Sequence, residues 1–330
     1  MYSAYITKVD NLKEDLLESL NFIDWRKYVK KDSVVFIKPN FTFPYYKEGV
    51  TTNLELLKNL LEIIKERADN VIVGESDGGN HSFTADDAFK GQGMKKICKE
   101  IGVELINLSK LPSVFVEDKI QGKKVKVQLP KLLLEKVDCF VSVPVLKVHV
   151  MTGVSLSIKN LWGCYPDTMR GLHHQNFDYK IALIAKLLNP KIVVIDGIYA
   201  LDGHGPMYGK PVKLNLIITS NNPVVSDALG TNIMGIPLKM ANHILVTERT
   251  GIGTTDLREV KTNEGWGQFQ RNFHISSKTL IEQVGWLMFN NDVLTKLVMN
   301  TPFTPLIYKV AGMLRSPDEK EIANQIGKYQ

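Results

Sequence analysis

The chain has 330 residues, of which 44% are hydrophobic and 23% charged, an ordinary composition for a globular protein of one large or two smaller domains. Its formal net charge of +6 is modest, and the basic residues are spread without a basic tract, so nucleic-acid binding is not expected. The three cysteines, Cys98, Cys139 and Cys164, are too widely spaced for a disulfide framework or a CxxC motif, which indicates a reducing compartment.

The sequence contains no signal for export or for membrane insertion. Residues 1–10 lack the basic start and apolar core of a secretory signal. No uninterrupted apolar stretch reaches the roughly 20 residues that a membrane-spanning helix needs. A cytoplasmic protein without a membrane span is therefore expected.

Apolar runs alternate with amphipathic helical patterns through most of the chain. The runs predicted as strands are Val34–Lys38, Val71–Gly74, Val103–Ile106, Asp138–Val143, Lys191–Ile195 and Leu214–Thr219. The helices predicted between or after them are Asn53–Arg67 with a capping box of Thr52 and Glu55, Thr84–Ile101, and Val224–Met234 with Asn222 as cap, Pro223 in the first turn and Gly235 at the end. This alternation predicts an α/β fold with a mostly parallel sheet and helices on both faces.

Two segments depart from the alternation. Between Val114 and Val127 a β-rich pattern around Gln121-Gly122 predicts a small β-hairpin insertion. From about Phe273 apolar residues recur at helical spacing. We therefore divide the chain into an α/β domain, residues 1–272, and a helical C-terminal extension, residues 273–330. The extension is expected to pack on the main domain or on a partner subunit, as in a homo-oligomer, with a membrane-surface helix as the alternative.

The segment Val137–Gly163 places charged groups where a strand is expected to end. A buried strand is followed directly by Lys147 and His149. Thr152 and Gly153 then suit the start of a helix. A strand end and a helix N-terminus that present basic groups and hydroxyls together favour an anionic ligand.

The helix expected after Thr152 would carry three polar residues on one side. Thr152, Ser155 and Lys159 would lie opposite its apolar face. Ser155 and Lys159, four residues apart, also match the spacing of a serine–lysine nucleophile pair. A hydrolase of that type is one open alternative.

Polar residues follow several other predicted strands. Ligands of open α/β sheets bind beyond the carboxyl ends of the strands, where the loops converge. The residues predicted at this edge in addition to Lys147 and His149 are Lys38, Asn40, Glu75, Ser76, Asp77 and Asp196. Each alone is also explained as a turn, cap or solvated residue, so the joint placement supports a site. Lysine and histidine beside carboxylates permit acid–base chemistry.

Glycine-rich and histidine-containing loops add further candidates. The segment Gly74–Gly79 does not fit the GxGxxG pattern, and the chain has no P-loop motif. The loop that contains Asp202 and His204 fits either a phosphate cradle or a tight connection. His173 and His174 could include one metal ligand or proton carrier, but the usual zinc-site spacing is absent. A divalent metal is an open alternative.

Five segments resemble the domain-of-unknown-function 362 family, over roughly Val34 to Phe273. They are IKPNF at 37–41, TTNLELL at 51–57, VGES at 73–76, VPVLKVHVMTGVSLSIKNLWG at 143–163 and the block at 193–235. The segment at 143–163 carries the resemblance most specifically, through Lys147, His149, Thr152, Gly153, Lys159 and Asn160. The resemblance implies no agreed activity. Many relatives are fused to ferredoxin-type domains with four-iron clusters, but this chain has no CxxCxxC run, so an iron–sulfur cluster is not expected.

The leading hypothesis is a small-molecule enzyme whose basic site at the carboxyl edge binds an anionic substrate. Lys147, His149 and Lys159 are expected to bind it, while Asp196 and His173 or His174 handle protons or a divalent metal. The residues expected to complete the site are Lys38, Asn40, Glu75, Asp77, Thr152, Gly153, Ser155, Asn160, Asp202 and His204. The reaction is left open among isomerisation, ligase-like or transferase chemistry and redox chemistry. A non-catalytic protein that binds an anionic metabolite, with a partner on the C-terminal helices, is the second alternative.

Overall fold

The computed structural model describes residues 1–278 together with Gln283, Asn291, Thr295, Lys320, Glu321 and Gln325. The strands in chain order are β1 (Ser3–Lys8), β2 (Val34–Pro39), β3 (Asn70–Glu75), β4 (Glu104–Asn107), β5 (Ser113–Ile120), β6 (Lys123–Pro130), β7 (Cys139–Val143), β8 (Val145–His149), β9 (Gly153–Ser155), β10 (Ile192–Asp202), β11 (Lys210–Ser220) and β12 (Lys261–Thr262). The α-helices are α1 (Leu12–Phe22), α2 (Leu54–Lys65), α3 (Ala85–Gly91), α4 (Met94–Ile101), α5 (Lys131–Glu135), α6 (Ser157–Asn160), α7 (Phe177–Leu188), α8 (Pro223–Ile233) and α9 (Asn242–Glu248).

The main sheet has the strand order β12-β1-β11-β10-β7-β2-β3-β4. The run from β10 to β4 is parallel throughout. At the other edge, β11 runs antiparallel to both β10 and β1. The prediction of an α/β fold with a mostly parallel sheet is confirmed.

Helices cover both faces of this sheet, and β2 shows how the sequence achieves it. Val35 and Ile37 point into a core formed with α1, α2, α3 and α4. Phe36 points into the opposite core, which is formed with α7, α8, α9 and the β5–β6 hairpin. Because side chains alternate along a strand, a continuous apolar run serves both faces at once.

Two local predictions are confirmed in detail. Strands β5 and β6 pair antiparallel around Gln121 and Gly122, whose φ angles of 49° and 79° suit a two-residue hairpin turn. Helix α8 begins with Pro223 in its first turn, and the Asn222 side chain accepts hydrogen bonds from the next two amides. The turn and cap residues therefore determined these elements locally.

Several boundaries differ from the sequence prediction. Asn53, not Thr52, caps α2, because Thr52 Oγ1 donates instead to the carbonyl oxygen of Val143 at 2.8 Å. The helix expected over Thr84–Ile101 is two helices, α3 and α4, separated at Gly93 with a φ of 74°. Strand β10 continues past Ile195 to Asp202. Strands β1, β8 and β9 and helices α1 and α9 were not predicted.

The helix predicted from Thr152 is wrong. Strands β8 and β9 form an antiparallel hairpin that pairs Lys147 with Ser155 and His149 with Gly153. Helix α6 begins only at Ser157. Gly153 has a φ of 77°, and a Cβ there would lie 2.4 Å from the carbonyl oxygen of Met240. Pro144 cannot donate to a ladder, so β7 ends there and β8 continues alongside β10. Val154 and Leu156, two residues apart, both pack into the core that also contains Val148.

The predicted helical extension, residues 273–330, lies mostly outside the described residues. Residues 273–278 contact the main domain, where Gly203 pairs with Ile275. The Tyr45 hydroxyl also donates to Gln325 Oε1 at 2.9 Å. The boundary between residues 272 and 273 stays a prediction. In the described part of the chain, every helix is too short or too polar to cross a bilayer.

Candidate functional site

A cavity of about 810 Å³ opens where β2 and β3 end. Its walls contain part of the predicted site: Lys38, Asn40, Glu75, His149, Ser155, Lys159 and Asn160. They also contain residues that the sequence did not single out, among them Trp162, Arg170 and Tyr208. The structure thus brings polar residues from two parallel strands and from the β8–β9–α6 segment to one place.

Lys38 and Glu75 form a buried ion pair at the base of the cavity. They lie at the carboxyl ends of the adjacent strands β2 and β3, and Lys38 Nζ lies 2.6 Å from Glu75 Oε2. Two backbone amides, those of Phe41 and Ser76, donate to the same carboxylate. Gly163 packs against the pair so closely that a Cβ would lie 2.7 Å from both Glu75 Oε1 and Lys38 Nζ. The charges of this pair compensate one another.

Asn40 and Asn160 form an amide chain beside the ion pair. Asn40 Nδ2 donates to Asn160 Oδ1 at 3.0 Å, and Asn160 Nδ2 donates to the carbonyl oxygen of Lys38 at 3.3 Å. Lys147 lies behind Asn40 and donates to its Oδ1 at 2.6 Å. The orientation of each amide is therefore determined by its neighbours.

Lys147 itself does not line the cavity. Its ammonium donates to Asn40 Oδ1, to the carbonyl oxygen of Val50 at 2.7 Å and to Thr42 Oγ1 at 3.4 Å. Burial, followed by the positive charges of Lys159 and Lys38, lowers its pKa to about 7. Lys147 thus supports the cavity through Asn40, whereas the sequence suggested direct contact with a substrate.

Lys159, in contrast to Lys147, lines the cavity. Within the described part of the chain its ammonium has no hydrogen bond or ion pair, and it lies over the face of Phe177, 5.4 Å from the ring centroid. Burial, followed by the positive charges of Arg170 and Lys38, lowers the pKa of Lys159 to about 8. An unsatisfied amine at the surface of a cavity is a candidate for contact with a ligand.

The single-turn helix α6, which carries Lys159 and Asn160, is held by a carboxylate from another helix. The amides of Ser157 and Ile158 donate to the two oxygens of Asp227 in α8, each at 2.8 Å. Asp227 is fully buried, and burial raises its pKa to about 7 against the effect of these hydrogen bonds. A negative group at a helix N-terminus satisfies free amides and complements the helix dipole. Asp227 therefore positions Lys159 without lining the cavity.

Arg170 supplies a second cation to the cavity. Its guanidinium donates to neutral acceptors: the carbonyl oxygen of Tyr165 at 3.2 Å, Ser76 Oγ at 2.5 Å and the carbonyl oxygen of Asp77. The carboxylates of Glu75 and Asp77 act on it electrostatically. No carboxylate among the described residues lies within ion-pair distance of Arg170.

Three neutral histidines surround the Lys159 side of the site. His149 Nδ1 accepts a hydrogen bond from the amide of Met151 at 3.1 Å, so the neutral ring carries its proton on Nε2. Burial, followed by the charge of Lys159, lowers the pKa of His149 well below its usual value and that of His174 to about 4. His243 in α9 is fully buried, and neither ring nitrogen has a partner in the described chain. Burial and the Lys159 charge lower its pKa to about 3.

Two predicted carboxylates have structural contacts and do not line the cavity. Asp196 accepts from the amides of Asn53 at 2.6 Å and Ile198 at 3.0 Å, and burial raises its pKa to about 6. It lies inside β10, which continues past the expected strand end. Asp77 accepts from the amide of Ala85 and from Asn107 Nδ2. Both carboxylates thus accept hydrogen bonds from backbone amides, whereas the sequence predicted that they contact a substrate or transfer protons.

The remaining predicted residues also lie outside the cavity lining. Asp202 accepts from the amides of Gly203 and His274. His173 Nε2 lies 2.7 Å from Asp167 Oδ2, and the His204 ring packs against Tyr208 at 5.9 Å. The residues that serve the β8–β9 turn are Thr152, whose hydroxyl donates to the carbonyl oxygen of Val154, and Gly153.

Ser155 and Lys159 do not form the pair on one helix face that their spacing predicted. Ser155 ends β9 and Lys159 lies in α6, so the two are not neighbours on one helix face. Both line the cavity, yet no hydrogen bond joins them within the described chain.

The structure shows no preformed metal centre among its described residues, because nowhere do three or more His, Cys, Asp or Glu side chains converge suitably. The three cysteines are buried free thiols. Burial raises the pKa of Cys98 to about 11 and those of Cys139 and Cys164 to about 12, which keeps them protonated.

Comparison with known proteins identifies the family of the chain that forms this cavity. The model of a family described as a domain of unknown function (DUF362) matches residues 35–232, the stretch that contains Lys38, Glu75, Lys159 and Arg170. The chain belongs to the DUF362 family. It is also 29% identical over 125 residues to a thylakoid-associated protein of Synechocystis sp., an alignment that spans 36% of this chain and 39% of that relative. No solved structure matches significantly.

The DUF362 match covers several site residues that sequence reasoning missed. Arg170 directly precedes the segment with the paired histidines, and attention to charge there would have found it. Asp227 is the one charged residue of helix α8, amid uncharged and mostly apolar neighbours, a pattern that indicates a buried carboxylate with a specific partner. His243 lies beyond the matched residues, in a helix that was not predicted.

Proposed function

We propose that this DUF362 protein is a small-molecule enzyme that binds an anionic substrate in the cavity at the carboxyl edge of its sheet. The observation that carries this proposal is the pair of cations, Lys159 and Arg170, that reach the cavity without an ion-paired carboxylate among the described residues. Lys38, whose charge is compensated by Glu75, contributes little to the excess. An anion would supply the missing negative charge.

The two cations differ in what they offer a ligand. The planar guanidinium of Arg170 suits a carboxylate or phosphate group, which it can bind through more than one N–H. The flexible amine of Lys159 provides a point charge and, with a pKa of about 8, can also exchange a proton near neutral pH. These properties support an enzyme over a passive binding site, and the reaction class is left open among proton transfer, group transfer and redox chemistry.

We further propose that the protein acts in the cytoplasm. Free, buried cysteine thiols support this location because disulfides are rare in reducing compartments. The relative from Synechocystis sp. is named for its association with the thylakoid. We also propose that this chain binds a partner, or a second copy of itself in a homo-oligomer, through residues 273–330.

Titration calorimetry with oxalate and with inorganic phosphate at pH 7 tests the anion site. Lys159→Met and Arg170→Met should each weaken the binding of at least one of these anions by about 10- to 100-fold, the usual value of a hydrogen bond to a charged group. Lys95→Met, which removes an exposed lysine of α4, should leave binding unchanged. Circular dichroism should show that all three variants are folded. The proposal fails if neither anion binds, or if both cavity variants bind as the unmodified protein does.

A further inference from the structure

The three lysines of the site differ in the state of their amines. Lys38 Nζ donates to Glu75 and to the carbonyl oxygen of Pro39, and Lys147 Nζ donates to three oxygens. Lys159 Nζ donates to no group in the described chain, although it lines the cavity. Of these three amines, only that of Lys159 is free to approach a bound molecule as a nucleophile.

The surroundings of Lys159 also favour its neutral, nucleophilic form. Amines attack carbonyl carbons only when they carry no proton, and a nearby cation or an apolar setting increases that fraction. Phe177 covers one side of Lys159, and the positive charges of Arg170 and Lys38 act on it. With a pKa of about 8, roughly a tenth of Lys159 is neutral at pH 7.

We propose that Lys159 forms an imine with the carbonyl group of an anionic aldehyde or ketone, such as a 2-oxo acid, whose carboxylate binds Arg170. This inference rests on the proposed function and names its substrate class. The carboxylate and the carbonyl of a 2-oxo acid are adjacent. Such a molecule therefore requires one cation and one nucleophilic amine close together, and Arg170 and Lys159 line the same cavity near enough for the charge of Arg170 to lower the pKa of Lys159.

The step balances without an external oxidant or reductant. The lone pair of Lys159 Nζ attacks the carbonyl carbon, a C–N bond forms, the C=O π bond breaks, and one proton passes from the nitrogen to the oxygen to give a carbinolamine. The C–O bond then breaks, the hydroxyl leaves as water with the second proton of the nitrogen, and the nitrogen lone pair forms the C=N bond. The Nε2–H of His149 is the neutral donor assigned to hydrogen-bond the departing oxygen, since its Nδ1 accepts from the Met151 amide.

Reductive trapping with glyoxylate and cyanoborohydride tests the inference on the full chain. Hydride delivered to the imine carbon would convert Lys159 irreversibly into N-carboxymethyl-lysine, detectable by intact mass and peptide mapping. Oxalate, which resembles glyoxylate but has no aldehyde, should protect Lys159. The trapping rate should rise about tenfold per pH unit below pH 8 and level off above it. Lys159→Arg keeps the positive charge and should lose the adduct.

The outcomes separate this inference from the proposed function. Adduct concentrated on Lys159 and suppressed by oxalate supports both. If oxalate binds with the dependence on Arg170 described above but Lys159 stays unmodified, the imine is overturned and the anion site stands. Modification spread over exposed lysines such as Lys95, without preference for Lys159, also overturns the imine. If oxalate and phosphate do not bind at all, the proposed function itself fails.

Discussion

Two lysines near the cavity show how differently one residue type is used, since Lys147 is fully buried and Lys159 is partly exposed. In the Lys147 cluster, formed by Lys147, Asn40, Thr42 and Val50, the ammonium meets three oxygens. In the Lys159 wall, formed by Lys159, Arg170 and Phe177, the lysine amine has no hydrogen-bond partner in the described chain. Burial is the main cause of the lowered pKa of both lysines. Hydrogen-bond saturation and exposure to the cavity therefore distinguish a supporting lysine from one available to a ligand, whereas a lowered pKa is common to both.

The largest expected effect is on stability, from substitution in the Lys147 cluster. Lys147→Met removes the donor from the carbonyl oxygen of Val50 and from Asn40 Oδ1. Leaving such buried acceptors without a donor should lower the free energy of unfolding by about 2–4 kcal/mol. Urea denaturation at pH 7 measures this change.

Lys159→Met is the matched control for that comparison. It removes a partly exposed charge but no hydrogen bond within the described chain, so its free energy of unfolding should stay within about 1 kcal/mol of the unmodified protein. Equal loss of stability in the two variants would show that the distinction between the cluster and the wall is wrong.

The second expected effect is a pH dependence of the free energy of unfolding. It arises because His243, which feels the charge of Lys159, is held neutral in the folded protein. Its pKa is about 3 in the folded protein against 6.5 as the ordinary value. Between these pH values the unfolded chain binds a proton that the folded protein does not, so stability is lost as pH falls below 6.5. The slope from this one group is about 1.4 kcal/mol per pH unit.

His243→Leu isolates that contribution, because leucine fills a similar volume and leaves no ring nitrogen unpartnered. Denaturation curves should show the variant at least as stable as the unmodified protein at pH 7.5 and increasingly more stable than it toward pH 5. A stability difference that is constant across this pH range would contradict the burial of His243 as a neutral group.

The smallest effect concerns Gly163, which lies against the Lys38–Glu75 ion pair. In Gly163→Ala the added methyl would lie 2.7 Å from both Glu75 Oε1 and Lys38 Nζ. Displacing this hydrogen-bonded pair should lower the free energy of unfolding by about 1–3 kcal/mol. Gly265→Ala, whose Cβ meets no described atom within 4 Å, is the control for the glycine-to-alanine change. Comparable stability of the two variants would mean that the pair can move and is not a rigid base.

The part of the site built on regular parallel strands could be predicted from the sequence. Lys38 and Glu75 end adjacent strands, and the carboxyl ends of parallel strands meet at one edge. The same reasoning failed for Asp196, because β10 continues past it and turns the expected strand end into a strand interior. The apolar run of residues 198–201 after Gly197 was the local signal for that continuation.

The β8–β9–α6 segment shows a second limit. Val154, Ile158 and Leu161 recur at helical spacing, while Val148, Val154 and Leu156 are buried as a hairpin and its exit. Short apolar segments satisfy both periods, and tertiary pairing with β10 decides between them. Asp227 and His243 reach the site from α8 and α9, and contacts between residues so distant in the chain leave no periodic pattern.

The contact between Asp227 and α6 has a consequence for how the protein is made. A helix of one turn does not persist alone in water, so the segment that bears Lys159 depends on a carboxylate supplied by α8. During synthesis the parallel strands β2, β3 and β7 leave the ribosome well before α8 does. A nascent chain that ends before Pro223 would thus hold most of the parallel strands, while the Lys159 wall would form only once α8 emerged.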